Sequence, residues 1–213
     1  VVVRSVVDDS SDEGAAAQAE GDGGTGENFG ANEVYSSSNQ TVYAQRGIGS
    51  SYNKWGTVDW MITDDGVLKI SPSNGVTGTT GPVISYDGAP WYNQRLKIKK
   101  VESTGTIVLN ANSTGMFYNC SNLTDLTPLA DWDVSNVTNM SSMFNGCSSL
   151  TDLTPIEHWT VSNVKNMSAL FAGCSNLTDL TPLTSWNVSK VTSMSTMFSR
   201  CSSLTNLTPI SGW

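Results

Sequence analysis

Residues 120–147 read CSNLTDLTPLADWDVSNVTNMSSMFNGC, with a cysteine at each end of a 27-residue step. Cys120, Cys147, Cys174 and Cys201 all keep that step. So do the rows Leu123, Leu150, Leu177, Leu204 and Leu126, Leu153, Leu180, Leu207. Pro128, Pro155, Pro182, Pro209 and Trp132, Trp159, Trp186, Trp213 follow the same register. Phe117, Phe144, Phe171 and Phe198 carry it one unit upstream, where NANSTGMFYNC is a degraded copy of NVTNMSSMFNGC. Self-similarity at a fixed period is the sequence signature of stacked units that bury their apolar edges only on one another.

Within one unit, Val137, Met140, Met143, Phe144 and Cys147 fall at steps of 3, 3, 1 and 3. This spacing predicts one face of a short helix, with Ser135 and Asn136 at its start and Gly146 near its end. The Leu-Thr-Asp-Leu-Thr-Pro-Leu run predicts a brief strand followed by a turn at the proline, which has no ladder N–H. A strand arc plus a short helix in about 20–29 residues is the leucine-rich-repeat plan. The expected fold class is therefore an α/β repeat solenoid of leucine-rich-repeat-like coils behind a small β-rich N-terminal cap.

Three segments follow from composition. Residues 1–33 hold eight acids, Asp8, Asp9, Asp12, Glu13, Glu20, Asp22, Glu27 and Glu33, against Arg4. They account for −7 of the net −8, so the acidity belongs to this stretch and the remainder sums to −1. Few large apolar residues lie in it, and it reads as a disordered acidic spacer. Residues 34–119 read as a β-rich cap merging into a degenerate first coil, with a hairpin at Asp64-Asp65-Gly66 and Val58, Trp60 and Ile62 on its buried face. Residues 120–213 are the repeat array. It stops at Trp213 halfway through a unit, which predicts a longer parent protein.

The balance of residues excludes some classes. No basic field is available for nucleic acid. No run approaches the ~18 apolar residues of a membrane span, and VVVRSVV lacks the regions of a signal peptide. Arg95, Lys97, Lys99 and Lys100 form the one basic cluster; it reads as a charged edge that discourages strand addition, or as an anion site. His158 does not recur, its equivalents being Asp131 and Ser185, so no histidine base repeats.

Three rows remain as candidate sites. The cysteines read as small thiols in one repeated core slot, beside Leu126, Leu153, Leu180 and Phe144, Phe171, Phe198. Stacked helices would hold them too far apart to bridge, and zinc-ligand spacing is missing. Trp132, Trp159 and Trp186 could form a packed spine or a platform for sugar rings. Asp125, Asp152 and Asp179, followed by Asn206, could be a plain polar surface, a Ca²⁺ site or a contact for cationic groups on a partner. No catalytic residue, metal site or cofactor is expected.

The pattern W-x-V-S-x-V-x-x-M-x-x-M-F-x-x-C-S-x-L-T-x-L resembles the BspA-like leucine-rich repeat surface proteins of bacteria, described by a 26-residue surface-protein repeat. The resemblance covers residues 120–213 closely and about 55–119 weakly, where WGTVDWMITDDGVLKI and APWYNQRLKIKKV look like the cap before such arrays. It implies a secreted or cell-wall-attached protein that binds protein or glycan partners on a host or neighbouring cell, without enzymatic activity. An LPxTG-type anchor is absent from these residues. A carbohydrate-binding module using the Trp row and a structural stalk are the alternatives.

Overall fold

The computed structural model describes residues 34–35, 41–46 and 52–213. The expected acidic spacer lies outside them. An antiparallel run opens the fold: β1 (Val34–Tyr35), β2 (Thr41–Arg46), β3 (Tyr52–Trp55), β4 (Val58–Ile62) and β5 (Val67–Pro72), paired in chain order. Gly66, at φ +91, closes the expected β4–β5 hairpin by donating its N–H to Thr63. Trp60 then pairs with Ile70, and both are buried. Beneath this hairpin Trp91 meets Trp55 and Trp60 edge-on, at 5.1 and 5.7 Å between centroids.

At β5 the pairing changes from antiparallel to parallel. β7 (Lys100–Ser103) lies along β5, and β8 (Thr106–Val108) along β6 (Thr77–Thr79). Single parallel bridges carry the stack onward: Lys100 to Asp125, Val108 to Asp133, and Asn112 to Asn139 to Asn166 to Ser193. In-register stacking thus begins at Val67, inside the segment read as a cap. Two aromatic-bearing turns, around Trp91 and Phe117, precede the first exact repeat.

The interior is a set of columns. Trp91, Phe117, Phe144, Phe171 and Phe198 stack in succession with centroids 6.0, 5.5, 5.7 and 5.9 Å apart, the four phenylalanines within 9° of parallel. Leu126, Leu153 and Leu180 are buried beside them, as are all four cysteines.

The expected helix over residues 137–147 does not form. No α-helix occurs among the described residues; short 3₁₀ stretches and turns take its place. Ser142, Phe144 and Gly146 donate their N–H groups across to Ser168, Leu170 and Ala172 of the next unit, at 2.9, 3.0 and 2.7 Å. The intervening Met143, Asn145 and Cys147 donate back three residues within the unit. An α-helix keeps every N–H for itself and holds a neighbour about 8–10 Å away. These turns instead bring successive backbones within hydrogen-bonding reach. Left-handed residues make this possible at two positions per unit: Gly115, Ser142, Ala169, Thr196, and Asn119, Gly146, Gly173, Arg200.

The expected brief strand before each proline does not form, a single bridge at Asp125 being what pairs there, whereas the expected turn at the proline does. Thr127–Leu129, Thr154–Ile156, Thr181–Leu183 and Thr208–Ile210 are 3₁₀ turns, with proline near each start, where a missing N–H costs nothing. No sheet among the described residues closes into a barrel. No helix among the described residues is long and apolar enough to cross a membrane.

Candidate functional site

The cysteines are free and buried. Cys147, Cys174 and Cys201 each donate Sγ–H to a phenylalanine carbonyl thirty residues earlier, Phe117, Phe144 and Phe171, at 3.2, 3.3 and 3.1 Å. Burial pushes the thiols of Cys120 and Cys174 up to about 12 and raises those of Cys147 and Cys201. Thiolate is the reactive form, so this slot suits packing rather than redox or metal chemistry. The reason first given for their staying unbridged, distance between stacked helices, does not hold, because there are no such helices. What occupies the sulfurs of Cys147, Cys174 and Cys201 is the carbonyl.

The Trp row lies inside. Trp132, Trp159 and Trp186 are 4–5% exposed. Trp159 and Trp186 donate their indole N–H to Leu129 and Ile156 of the preceding unit, and Trp132 to the Ser103 hydroxyl. Their rings also lie near Phe144, Phe171 and Phe117, at about 6 Å between centroids. Rings placed this way have no open face for a sugar.

The Asp row lies at the surface with a local task. Asp125, Asp152 and Asp179 each accept the N–H of the residue two positions on, Thr127, Thr154 and Thr181, at 2.8 Å; Asn206 does the same for Thr208 at 2.9 Å. This Asx turn fixes the start of each 3₁₀ stretch. Hydrogen bonds from threonine hold the carboxyls of Asp125 and Asp179 below the usual range. An asparagine in the fourth place accepts the same bond without charge. Among the described residues no group of three or more His, Cys, Asp or Glu side chains is placed to hold a metal ion.

The basic cluster is not a sheet edge. β7 is flanked by β5 and by Asp125, so Lys100 sits within the stack, its ammonium 2.8 Å from Glu102.

One surface was missed by reading rows of identity. Comparing units position by position, residues just before the Trp row and between it and the Asn112–Asn139–Asn166 row vary: Ala130, Glu157, Thr184; Asp131, His158, Ser185; Asp133, Thr160, Asn187; Asn136, Asn163, Lys190; and Thr138, Lys165, Thr192. All are exposed or half-buried. Between them the apolar rows Val134, Val161 and Val137, Val164 stay constant and buried. Charge changes along this arc, from Asp131 and Asp133 through Glu157, paired with His158 at 3.2 Å, to Lys165 and Lys190.

Comparison with known proteins places the array in context. Residues 111–213, just under half of the chain, are similar to a family described as "Mycoplasma protein of unknown function, DUF285". Among solved structures, a leucine rich cell surface protein from Faecalibacterium prausnitzii A2-165 aligns at 20% identity with a TM-score of 0.36. That alignment spans 74% of this chain and 42% of the other, so the chain covers less than half of that protein's length. No curated protein matches.

Proposed function

We propose that this chain belongs to an exported bacterial surface protein, and that its stacked units form a leucine-rich-type repeat solenoid. It binds a protein or glycan partner on a host or neighbouring cell, without chemistry on it. The observation carrying this reading is the division of labour in the repeat. The repeat-constant apolar rows are buried, while five positions of the exposed arc from Ala130 to Thr138 and its equivalents change in charge between units. A frame held constant beneath a varied outer face is how stacked-repeat proteins present a recognition surface. The motif resemblance to surface-protein repeats supports the same reading.

The test is adhesion of beads coated with the chain to cultured epithelial cells. Saturable adhesion is expected. It should fall when the arc is changed by Asp131→Lys, Glu157→Lys, Lys165→Glu and Lys190→Glu, and persist in Asp152→Asn. Beads that never saturate, or adhesion indifferent to the arc, would leave the stalk as the better account.

A further inference from the structure

We infer that Tyr86, Tyr118, Tyr92 and Arg95 form a binding platform for an acidic saccharide, a pyranose chain bearing carboxylates. The Tyr86 and Tyr118 rings lie 5.0 Å apart between centroids, tilted by 37°. Tyr118 and Tyr92 lie 6.4 Å apart at 29°. The Arg95 guanidinium sits 4.1 Å from the centre of the Tyr92 ring and donates to the Tyr92 carbonyl at 2.9 Å. The three rings and one cation make a continuous row at the start of the stack.

The row lies apart from the core and is held in place. Tyr86 is 55% exposed, while Tyr92, Tyr118 and Arg95 are half-buried. Tyr86 packs its backbone against Gly115, a left-handed residue at φ +62 where a side chain would collide with it. Tyr118 follows the buried Phe117, and Tyr92 follows the buried Trp91, which donates its indole N–H to Met116 at 2.8 Å. Two core aromatics thus fix the positions of two platform rings.

Geometry and charge together select the ligand. Tyr86, at 55% exposed, is the ring of the row most open to a ligand, with Tyr118 and Tyr92 half-buried behind it. A pyranose offers a face of C–H groups that packs on such rings, and its hydroxyls can bond to the phenols.

The segment that carries Arg95 is basic, although Asp87 follows Tyr86 and Asp65 of the β4–β5 hairpin interacts with Lys100. Residues 92–100 carry Arg95, Lys97, Lys99 and Lys100 and no acid. Glu102 holds Lys100, and none of the other three cations is in an ion pair among the described residues. A neutral sugar would leave these cations unused. The Arg95 guanidinium gives Nη1 to the Tyr92 carbonyl and buries Nε, and its remaining Nη donor can form a charged hydrogen bond to a carboxylate. A protein partner would need anchor groups seated in desolvated pockets, whereas the outermost ring here stands in solvent.

The experiment is affinity electrophoresis of the chain in native gels containing polygalacturonate, with neutral dextran as the control matrix. Polygalacturonate should retard the wild type, less so with added salt, and dextran should not. Tyr86→Ala and Lys97→Gln, both at exposed side chains, should each weaken retardation, and Arg95→Gln should cost about tenfold in affinity through loss of a charged hydrogen bond. Thermal melting of each variant separates lost folding from lost binding. Absence of retardation, equal retardation in dextran, or indifference to Tyr86→Ala and Lys97→Gln would overturn the proposal. So would binding of poly-glutamate, dependent on Tyr86, in place of polygalacturonate, which would assign the platform to an acidic peptide. The platform uses no residue of the variable arc, so the two readings fail separately.

Discussion

The Trp159 indole N–H donates to the Leu129 carbonyl, thirty residues earlier, at 2.9 Å. The ring that fills the core of one unit therefore also satisfies a backbone acceptor of the unit before it. Trp186 and Ile156 repeat the arrangement at 3.1 Å. Two losses can be separated by substitution here. Trp159→Phe keeps an aromatic ring but removes one of the two hydrogen bonds that the Leu129 carbonyl accepts, the other coming from the Trp132 N–H, at a cost of about 0.5–1.5 kcal/mol. Trp159→Ala adds the cavity and should cost about 3–5 kcal/mol. Urea unfolding of both variants checks the order. A Trp159→Phe variant as stable as the wild type would mean the hydrogen bond contributes nothing.

The left-handed positions give a second test. Gly146 and Gly173 occupy equivalent places at φ +78 and +72, so alanine is strained at both by about 1–2 kcal/mol. Their surroundings differ. A methyl group on Gly146 would collide with the Asn119 side chain, whereas on Gly173 it would meet only Gly146 at ordinary contact distance, 3.4 Å. Gly146→Ala should therefore destabilise more than Gly173→Ala in thermal melts. Thr196, a β-branched residue at φ +56, is the converse case. Thr196→Gly should stabilise by roughly 1 kcal/mol, since β-branched side chains rarely tolerate that region.

These positions also explain what could be read from the sequence. The period, the buried Phe, Leu and Cys columns and the β4–β5 hairpin were legible, because each rests on burial or turn chemistry that one chain displays. The helix was misread. Steps of 3, 3, 1 and 3 also arise when successive tight turns each bond back three residues, as Met143, Asn145 and Cys147 do. The small or turn-forming residues at 142, 146, 169 and 173 were the distinguishing signal. The Asn112–Asn139–Asn166 row was invisible because its partners meet only once the stacking register is known. The Asp row drew attention by its charge, yet its invariant feature is an acceptor that asparagine supplies equally well.

Cysteine burial predicts behaviour at high pH. The native thiols of Cys120 and Cys174 are raised from an ordinary 9.0 to about 12. A group whose folded value is raised contributes stability that is complete below its unfolded value and lost as pH climbs toward the folded one. Stability should therefore fall between pH 9 and about 12, and Cys174→Ala should flatten that decline while lowering stability at neutral pH. Thiol titration should find four free groups after unfolding without reductant and almost none reactive in the native protein. Fast native labelling would contradict the burial.

The Asp row predicts behaviour at low pH, with the opposite sign. Asp125 and Asp179 have values below the ordinary 3.8 because threonine hydrogen bonds favour the ionised acceptor. A depressed folded value gives stability that is complete above the unfolded value and lost as pH falls through the folded one. Both carboxylates therefore weaken the fold only below pH 3.8. Asn206 already makes the same turn uncharged, donating nothing and accepting from Thr208 at 2.9 Å. Asp179→Asn should accordingly keep most of the stability at neutral pH and remove its share of the acid dependence. Asp179→Ala should lose the turn at every pH and melt below Asp179→Asn. Thermal melts of the two variants from pH 2 to pH 7 decide the matter. If Asp179→Asn destabilised as much as Asp179→Ala at neutral pH, the negative charge itself would be the working feature. The row would then return as a candidate contact for a cationic partner.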